Sequence, residues 1–330
     1  MHPVAPRSRS SCNAKVEVAD EGNVASFIAR LRAPVIVALG VCAHAALRPL
    51  ACGQDPGPDP RALRVVVWNL RNFPGGHDRP HLRDRLEQLD PSVLALQEVL
   101  DPSALPELLP GFRWHASAAG GRNGQHLVIG WDPERVDVEQ LIEHEALAMG
   151  GRVRPALSGH VEPHGSGADF HLVVVHLKAT RSGHAVRREQ WPRLASVVED
   201  RVRTDGDVLV VGDFNVAGGP QHSADDELDA LRHALAPTGL HLWETTGGCT
   251  AYWDGSRRDR WWEPSRLDLV WSAGLAHLPE QRHRAWSGAH CAHHACAPFS
   301  ASEHHPDPDL HGISDHCPIV IDLPLGDHDP

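Results

Sequence analysis

Six short apolar runs in this chain each stop at, or begin beside, a residue that carries chemistry. Val208-Leu209-Val210-Val211 ends at Gly212 and is followed by Asp213 and Asn215, two positions apart and therefore on one face of an extended backbone. Val65-Val66-Val67-Trp68 ends in Asn69, and Val93-Leu94-Ala95-Leu96 runs through Gln97 into Glu98. Leu172-Val173-Val174-Val175 ends in His176, with Lys178 two positions on. Asp268 lies inside the run 265–271, and Asp315-His316 precedes the last run, Ile319-Val320-Ile321-Asp322-Leu323. Short continuous runs rich in β-branched residues read as strands buried on both faces, which need a covering layer on each side. A single polar strand end is unremarkable, since an aspartate caps turns and a lone histidine is most often a satisfied core residue. Six of them point to strand ends gathered at one place.

Between the runs the spacing turns helical. Asp78-Arg79-Pro80 opens a predicted helix with Leu82, Leu86 and Leu89 on one stripe and Pro91 after its end. From 183 to 203, Trp191, Leu194, Val197 and Val198 share a stripe, and Pro192 predicts a kink or restart. Ser223 and Asp226 form a capping-box pattern ahead of Leu228, Leu231 and Leu235. Residues 127–131 and 136–141 flank Asp132-Pro133 and predict a hairpin, whereas 279–308, rich in His, Ala and Pro without periodicity, reads as a long surface loop. Strands interleaved with amphipathic helices argue for an α/β domain with buried sheets.

The 330 residues carry a formal charge of −12. Residues 1–46 hold five Lys/Arg against three Asp/Glu, so the remainder, with 26 against 40, stands at −14. An acidic body does not hold long duplex tightly without help, because affinity there comes mostly from Lys/Arg displacing counterions, and this counts against a processive or chromatin-type binder. Arg30 and Arg32 precede an uncharged apolar run over 33–43, and Ala43-His44-Ala45 supplies small residues at cleavage positions. This reads as a targeting segment over 1–46, too short to span a bilayer, and predicts export to the periplasm or beyond. Cys52 is where a lipid anchor would attach, but Pro49 occupies a position where such sites favour leucine. Residues 47–62 read as a linker, 63–325 as one domain and 326–330 as a tail, with no transmembrane span in the mature chain.

Four cysteines remain in the domain, Cys249, Cys291, Cys296 and Cys317. In an exported chain they permit three pairings; Cys291 and Cys296 read as loop cysteines able to pair together or with Cys249, and Cys317 as a buried thiol. Zinc on Cys291, His293, His294 and Cys296 would crowd four ligands into six residues.

In order and wording, Val67-Trp68-Asn69, Leu96-Gln97-Glu98, Val175-His176-Leu177, Gly212-Asp213-Phe214-Asn215, Arg266-Leu267-Asp268 and Ser314-Asp315-His316-Cys317-Pro318 resemble the endonuclease/exonuclease/phosphatase superfamily over about 64–323. That group includes DNase I, AP endonucleases, neutral sphingomyelinases and inositol-polyphosphate 5-phosphatases. The resemblance implies a DNase I-like, four-layer α/β/β/α sandwich of two packed mixed sheets with outer helices. It implies metal-dependent hydrolysis of phosphate esters, in which the enzyme mainly positions groups and neutralises charge.

Glu98 and Asp315, with Asn69, would hold Mg²⁺, or Mn²⁺ or Ca²⁺ through the same oxygen donors. Asp213 would activate a water that Asn215 helps to hold. Asp268 would fix His316 for a phosphate oxygen, His176 would face the leaving group, and Lys178 would bind phosphate. AP endonucleases carry a tyrosine where this chain has His176, which sets that branch aside. The expected activity is therefore a secreted phosphodiesterase of nuclease type, acting on phosphate esters and nucleic acid. A phosphatase or lipid phosphodiesterase is the near alternative, favoured by the acidic charge. A non-catalytic binding module would show a missing ligand, and none is missing. Segments 112–126, 151–168 and 279–312 are expected to line the cleft as loops.

Overall fold

A computed structural model of the protein describes residues 57, 62–166, 168–255, 259–275, 284–302 and 304–324. The expected targeting segment, Cys52, nearly all of the linker and the tail lie outside the described residues. The described residues belong to one compact unit.

The elements run β1 (Ala62–Phe73), α1 (Arg79–Leu89), β2 (Val93–Val99), β3 (Arg113–Ala116), β4 (His126–Trp131), β5 (Val136–His144), β6 (Ala156–Pro163), β7 (Phe170–His176), α2 (His184–Val202), β8 (Val208–Asp213) and α3 (Ala224–Leu235). Then follow β9 (His241–Leu242), β10 (Glu244–Thr245), β11 (Ala251–Asp254), β12 (Trp261–Ser265), β13 (Asp268–Ala273), β14 (Arg284–Ser287), α4 (Ala289–His293), β15 (Phe299–Ser300), α5 (Pro308–Gly312) and β16 (Ile319–Pro324).

One sheet has the order β10-β14-β16-β1-β2-β4-β3 and the other β5-β6-β7-β8-β13-β9, with β11-β12-β15 as a small third sheet. Alternation along the strands divides the core. Val65, Val67, Leu172, Val174, Leu209, Val211 and Val270 fill the space between the two large sheets. Val66, Trp68 and Leu94 face outward onto Leu82, Leu86 and Leu89 of α1. Val173, Val175, Val208 and Val210 face outward onto Trp191, Leu194 and Leu231 of α2 and α3. The layers are α/β/β/α, as expected.

The helices form where their caps and stripes predict. The Asp78 side chain accepts from the His81 amide at the start of α1, and Ser223 and Asp226 make the full capping box of α3. Pro192 does not divide α2, which runs unbroken from His184 to Val202. Arg187 on α2 is fully buried and donates to both carboxylate oxygens of Glu227 on α3 and to the carbonyls of Lys178, Thr180 and Gly218. One guanidinium thus ties both helices to the loops that follow β7 and β8.

Several expectations are corrected. Asp132-Pro133 does not close a hairpin: β4 pairs with β2 and β3, whereas β5 pairs with β6 in the other sheet. Leu127, Ile129, Val136 and Val138 all enter the shared core, so the chain crosses between layers and buries both strands from opposite sides. The run 265–271 is two strand pieces. It breaks at Arg266-Leu267, where the amides of Leu267 and Asp268 both donate to Thr250 Oγ1 instead of a ladder. Segments 112–126 and 151–168 contain β3 and β6, and 279–308 contains β14, α4 and β15, elements too short to leave a period in the sequence. Cys317 is not a thiol. It is bonded to Cys291, and Cys249 to Cys296, which also removes both cysteines from any zinc set.

Candidate active site

Parallel pairing sends the C-terminal ends of β1 and β2 to one edge of the first sheet and those of β7 and β8 to one edge of the second. β13 and β16 run antiparallel to β8 and β1, so their beginnings arrive at the same edges. In register, Asp213 lies opposite both His176 and Asp268. Asn69, His176, Asp213 and Asp268 continue the inward-facing alternation, and all four are buried where the apolar core stops.

Glu98 breaks the alternation. Val93 and Ala95 face inward, which would send residue 98 to the opposite face. The β2 pairing with β4 shifts register between Leu96 and Val99, and Glu98 has φ +57°, a left-handed conformation uncommon for glutamate. The bulge re-aims the carboxylate inward, where Oε1 accepts from Asn69 Nδ2 at 3.3 Å and lies 3.6 Å from His176 Nε2. Gly212 solves the opposite problem. Its φ is +128°, and a Cβ there would fall 2.1 Å from the Val175 carbonyl oxygen, so only glycine lets β8 lie against β7 and deliver Asp213.

Asp213 is the hub and is 2% exposed. Its Oδ2 accepts from Asn69 Nδ2 at 3.1 Å and lies 3.3 Å from His176 Nε2 and 4.0 Å from His316 Nε2, and Oδ1 accepts from the Asn215 amide at 2.8 Å. Burial raises its pKa to about 7, with His316 pulling the other way and Asp268 and Glu98 adding to the rise. Burial also opposes charge on His316, but Asp268 at 2.8 Å from Nδ1, together with Asp213 and Asp315, holds its pKa well above the usual value. The Nδ1 proton goes to Asp268, and Nε2 faces Asp213 Oδ2. For His176, burial first and then Arg154 drive the pKa well down, so its ring is neutral.

The other named residues are placed as follows. The Asn69 amide nitrogen serves both carboxylates, and its Oδ1 accepts from the Arg71 amide. Asn215 has φ +53°, and its Nδ2 donates to the Leu177 carbonyl. The Asp315 carboxylate is one-third exposed and lies 3.9 Å from Arg71 Nε. Lys178 follows β7, half-buried, with its amide held by Gln190 Oε1.

Four supporting residues have roles that the sequence does not mark. Buried Arg154 donates to the carbonyls of His176 and Leu177 and to Gln125, holding the end of β7 from below. Ser314 Oγ donates to the Asn69 carbonyl and accepts from the His316 amide, joining the end of β1 to the segment that leads into β16. Thr250 anchors the start of β13. Arg71, exposed and with φ +42°, brings a cation to the rim.

Ligand atoms of Glu98, His176 and Asp213 lie within 4.8 Å of one another, as do those of Asp213, Asp268 and His316. Among the described residues, Glu98 forms no ion pair with Lys or Arg, so its charge is left for a cation. Carboxylate oxygens of this kind fit a hard divalent ion.

Strand ends from two packed sheets that converge on carboxylates, an imidazole pair and an amide define a phosphohydrolase class of site. The sequence matches the model of the Endonuclease/Exonuclease/phosphatase family over residues 66–316, and the chain belongs to that family, whose members hydrolyse phosphoric esters and generally depend on divalent metal.

Solved structures agree in fold. A family protein from Bacteroides thetaiotaomicron superposes with TM-score 0.56 at 18% identity, covering 82% of this chain and 100% of that one. The mannosyl-6-phosphatase Bt3783 of the same organism gives 0.53 at 19%, covering 78% and 98%. D. rerio TDP2 complexed with single strand DNA product gives 0.52 at 16%, covering 79% and 98%. Compared with curated proteins by sequence, the chain finds no match.

Proposed function

We propose that this protein is an exported, Mg²⁺-dependent phosphodiesterase of nuclease type that hydrolyses its substrate by in-line attack of an activated water. The observation that carries the reading is the Asp213 hub: one buried carboxylate with its pKa raised to about 7, within 4.0 Å of both His176 and a charged His316.

Glu98 and Asp315, with Asn69 beside them, would hold the cation; Mn²⁺ or Ca²⁺ would meet the same oxygens. When bound, the ion polarises a phosphate oxygen and steadies the leaving group. Asp213 takes the proton of the attacking water, for which a pKa near neutrality suits it. Asn215 orients that water through its amide oxygen. His316, kept protonated by Asp268, donates from Nε2 to a phosphate oxygen on which charge grows. His176 turns its Nε2 toward Glu98 and Asp213, at 3.6 and 3.3 Å, so we assign it to positioning those carboxylates. Arg71 and Lys178 supply positive charge at the rim.

Two observations bear on substrate. Trp253 and Trp261 are 53% and 50% exposed and share one face of the small sheet, whose strand β11 bridges to His316 at Ala251. Indoles standing about 7 and 14 Å along the small sheet from the Ala251 bridge suit stacked bases. The charge of −12 favours the competing reading, a phosphatase or lipid phosphodiesterase, because it weakens the hold on long polyanions. Export is supported by the targeting pattern and by two disulfides, which persist in oxidising compartments.

A substrate panel tests the proposal: plasmid DNA, single-stranded DNA, sphingomyelin, a phosphoinositide and a sugar phosphate, each with Mg²⁺, Mn²⁺, Ca²⁺ or chelator. Cleavage of DNA at least tenfold faster than the other esters is expected. Turnover confined to a monoester or a lipid would replace the nuclease reading with its competitor.

A further inference from the structure

At the other end of the second sheet, about 16 Å along β7 from His176, ligand atoms converge at a place the proposed reaction does not use. His160 on β6 and His171 on β7 are register partners with ring centroids 4.9 Å apart. Alternation puts them on the same face as Val173 and Val175, beside the end of α2. Three carboxylates clasp the His160 ring. Nδ1 lies 3.0 Å from Glu162 Oε1, and Nε2 lies 3.0 Å from Asp169 Oδ2 and 3.3 Å from Asp205 Oδ2. Asp205 is itself oriented in the turn between α2 and β8, where its Oδ1 accepts from the Asp207 amide at 3.0 Å.

The charges and protons do not balance. Among the described residues, no Lys or Arg forms an ion pair with Glu162, Asp169 or Asp205, and the ring within ion-pair distance of all three is that of His160. A neutral imidazole has one N–H. If that proton goes from Nδ1 to Glu162, Nε2 turns a lone pair toward two carboxylate oxygens, three acceptors facing one another. A charged imidazolium still has a single N–H for the two carboxylates at Nε2 and leaves two negative charges uncompensated.

A cation resolves both problems, and the spacing suits one. Donors about 2.0–2.2 Å from a tetrahedral ion are about 3.3–3.6 Å apart, a few tenths of an ångström from the 3.0 and 3.3 Å separations found around Nε2. Glu162 behind the imidazole completes the carboxylate–histidine arrangement that fixes the tautomer and orientation of a metal-bound ring.

We propose that His160 Nε2, Asp169 and Asp205 form a second metal site, for a divalent transition cation of the zinc type. An imidazole among the donors favours zinc over magnesium. Water takes the remaining position on the open side, where the Asp169 side chain is 39% exposed. The ion clamps β6, the start of β7 and the α2–β8 turn together and takes no part in the reaction, so the inference stands whether or not the proposed activity is right.

Equilibrium dialysis of the full-length, chelator-treated protein against Zn²⁺ tests it, with Co²⁺ absorption as a second readout. Because zinc can also enter the catalytic carboxylates, the site is read by difference between wild type and His160→Gln. The variant is expected to bind one equivalent fewer, or to bind that equivalent at least tenfold more weakly, and to lose the visible band that Co²⁺ gives on a low-coordinate site with an imidazole donor. Its rate in saturating Mg²⁺ stays within twofold of wild type. Should His160→Gln fail to fold by circular dichroism, Asp169→Asn, changed at a more exposed side chain, is expected to show the same loss. Zinc stoichiometry and affinity equal to wild type in the folded variants would overturn the proposal.

Discussion

Glu98 and Gly212 reach the site through backbone angles that their neighbours in sequence do not announce. Glu98 is legible as the polar end of an apolar run, but period-two alternation assigns it to the wrong face; the bulge and its φ of +57° are set by pairing with β4, a contact distant in sequence. Asp213, Asp268 and His316 are legible because each ends or begins a buried strand. Arg154, Ser314 and Thr250 are not, since nothing near them marks which carbonyl or amide they will meet. Gly212 gives the sharpest residue-scale prediction. In Gly212→Ala, the new methyl collides with the Val175 carbonyl at 2.1 Å, so β8 must part from β7. A loss of about 3 kcal/mol or more in urea unfolding is expected, with activity falling with it. A variant as stable and active as wild type would show that the strands do not lie as described.

Among the elements, the long strands and the three main helices follow from pattern, and the connections do not. The Asp132-Pro133 turn looks like a hairpin because turn residues flanked by strands carry no information about which sheet each strand joins. The region 284–312 is opaque in sequence for another reason. Its pieces are two to five residues long, and disulfides to Cys249 and Cys317, from outside the stretch, hold it in place. The bridges close separations of 47 and 26 residues, for which chain entropy alone gives about 3.5–4 kcal/mol each. Cys317 also adjoins His316. Reduction is therefore expected to move the urea midpoint well below that of the oxidised protein and to cut hydrolysis, whereas an unchanged midpoint would deny the bridges their structural role.

For the whole molecule, two sheets share one core and release their polar ends at one edge. Stability of that sandwich should depend on pH through histidines that folding keeps neutral. Burial, helped by Arg201, lowers the pKa of His144 to about 4 from an ordinary value of 6.5. Between those values the unfolded chain binds more protons. The contribution is full above pH 6.5 and is lost as pH falls toward 4. Allowing for the partial exposure of the ring, about 1–2 kcal/mol should disappear over that window. Urea unfolding from pH 7 to 4.5 checks this, because His144→Gln should flatten the pH slope relative to wild type by that amount, and an identical slope would remove His144 from the account.

The central claim is that distant strand ends make one metal-dependent hydrolytic site. It is tested most directly by the hydrolysis rate of bis(p-nitrophenyl) phosphate, measured with Mg²⁺ and with chelator for wild type, Asp213→Ala and His316→Ala. The account predicts turnover by wild type in Mg²⁺, its loss in chelator, and a fall of about 10²–10⁴-fold in each variant while the fold is retained. Wild-type rates in both variants, or a rate indifferent to chelator, would contradict it.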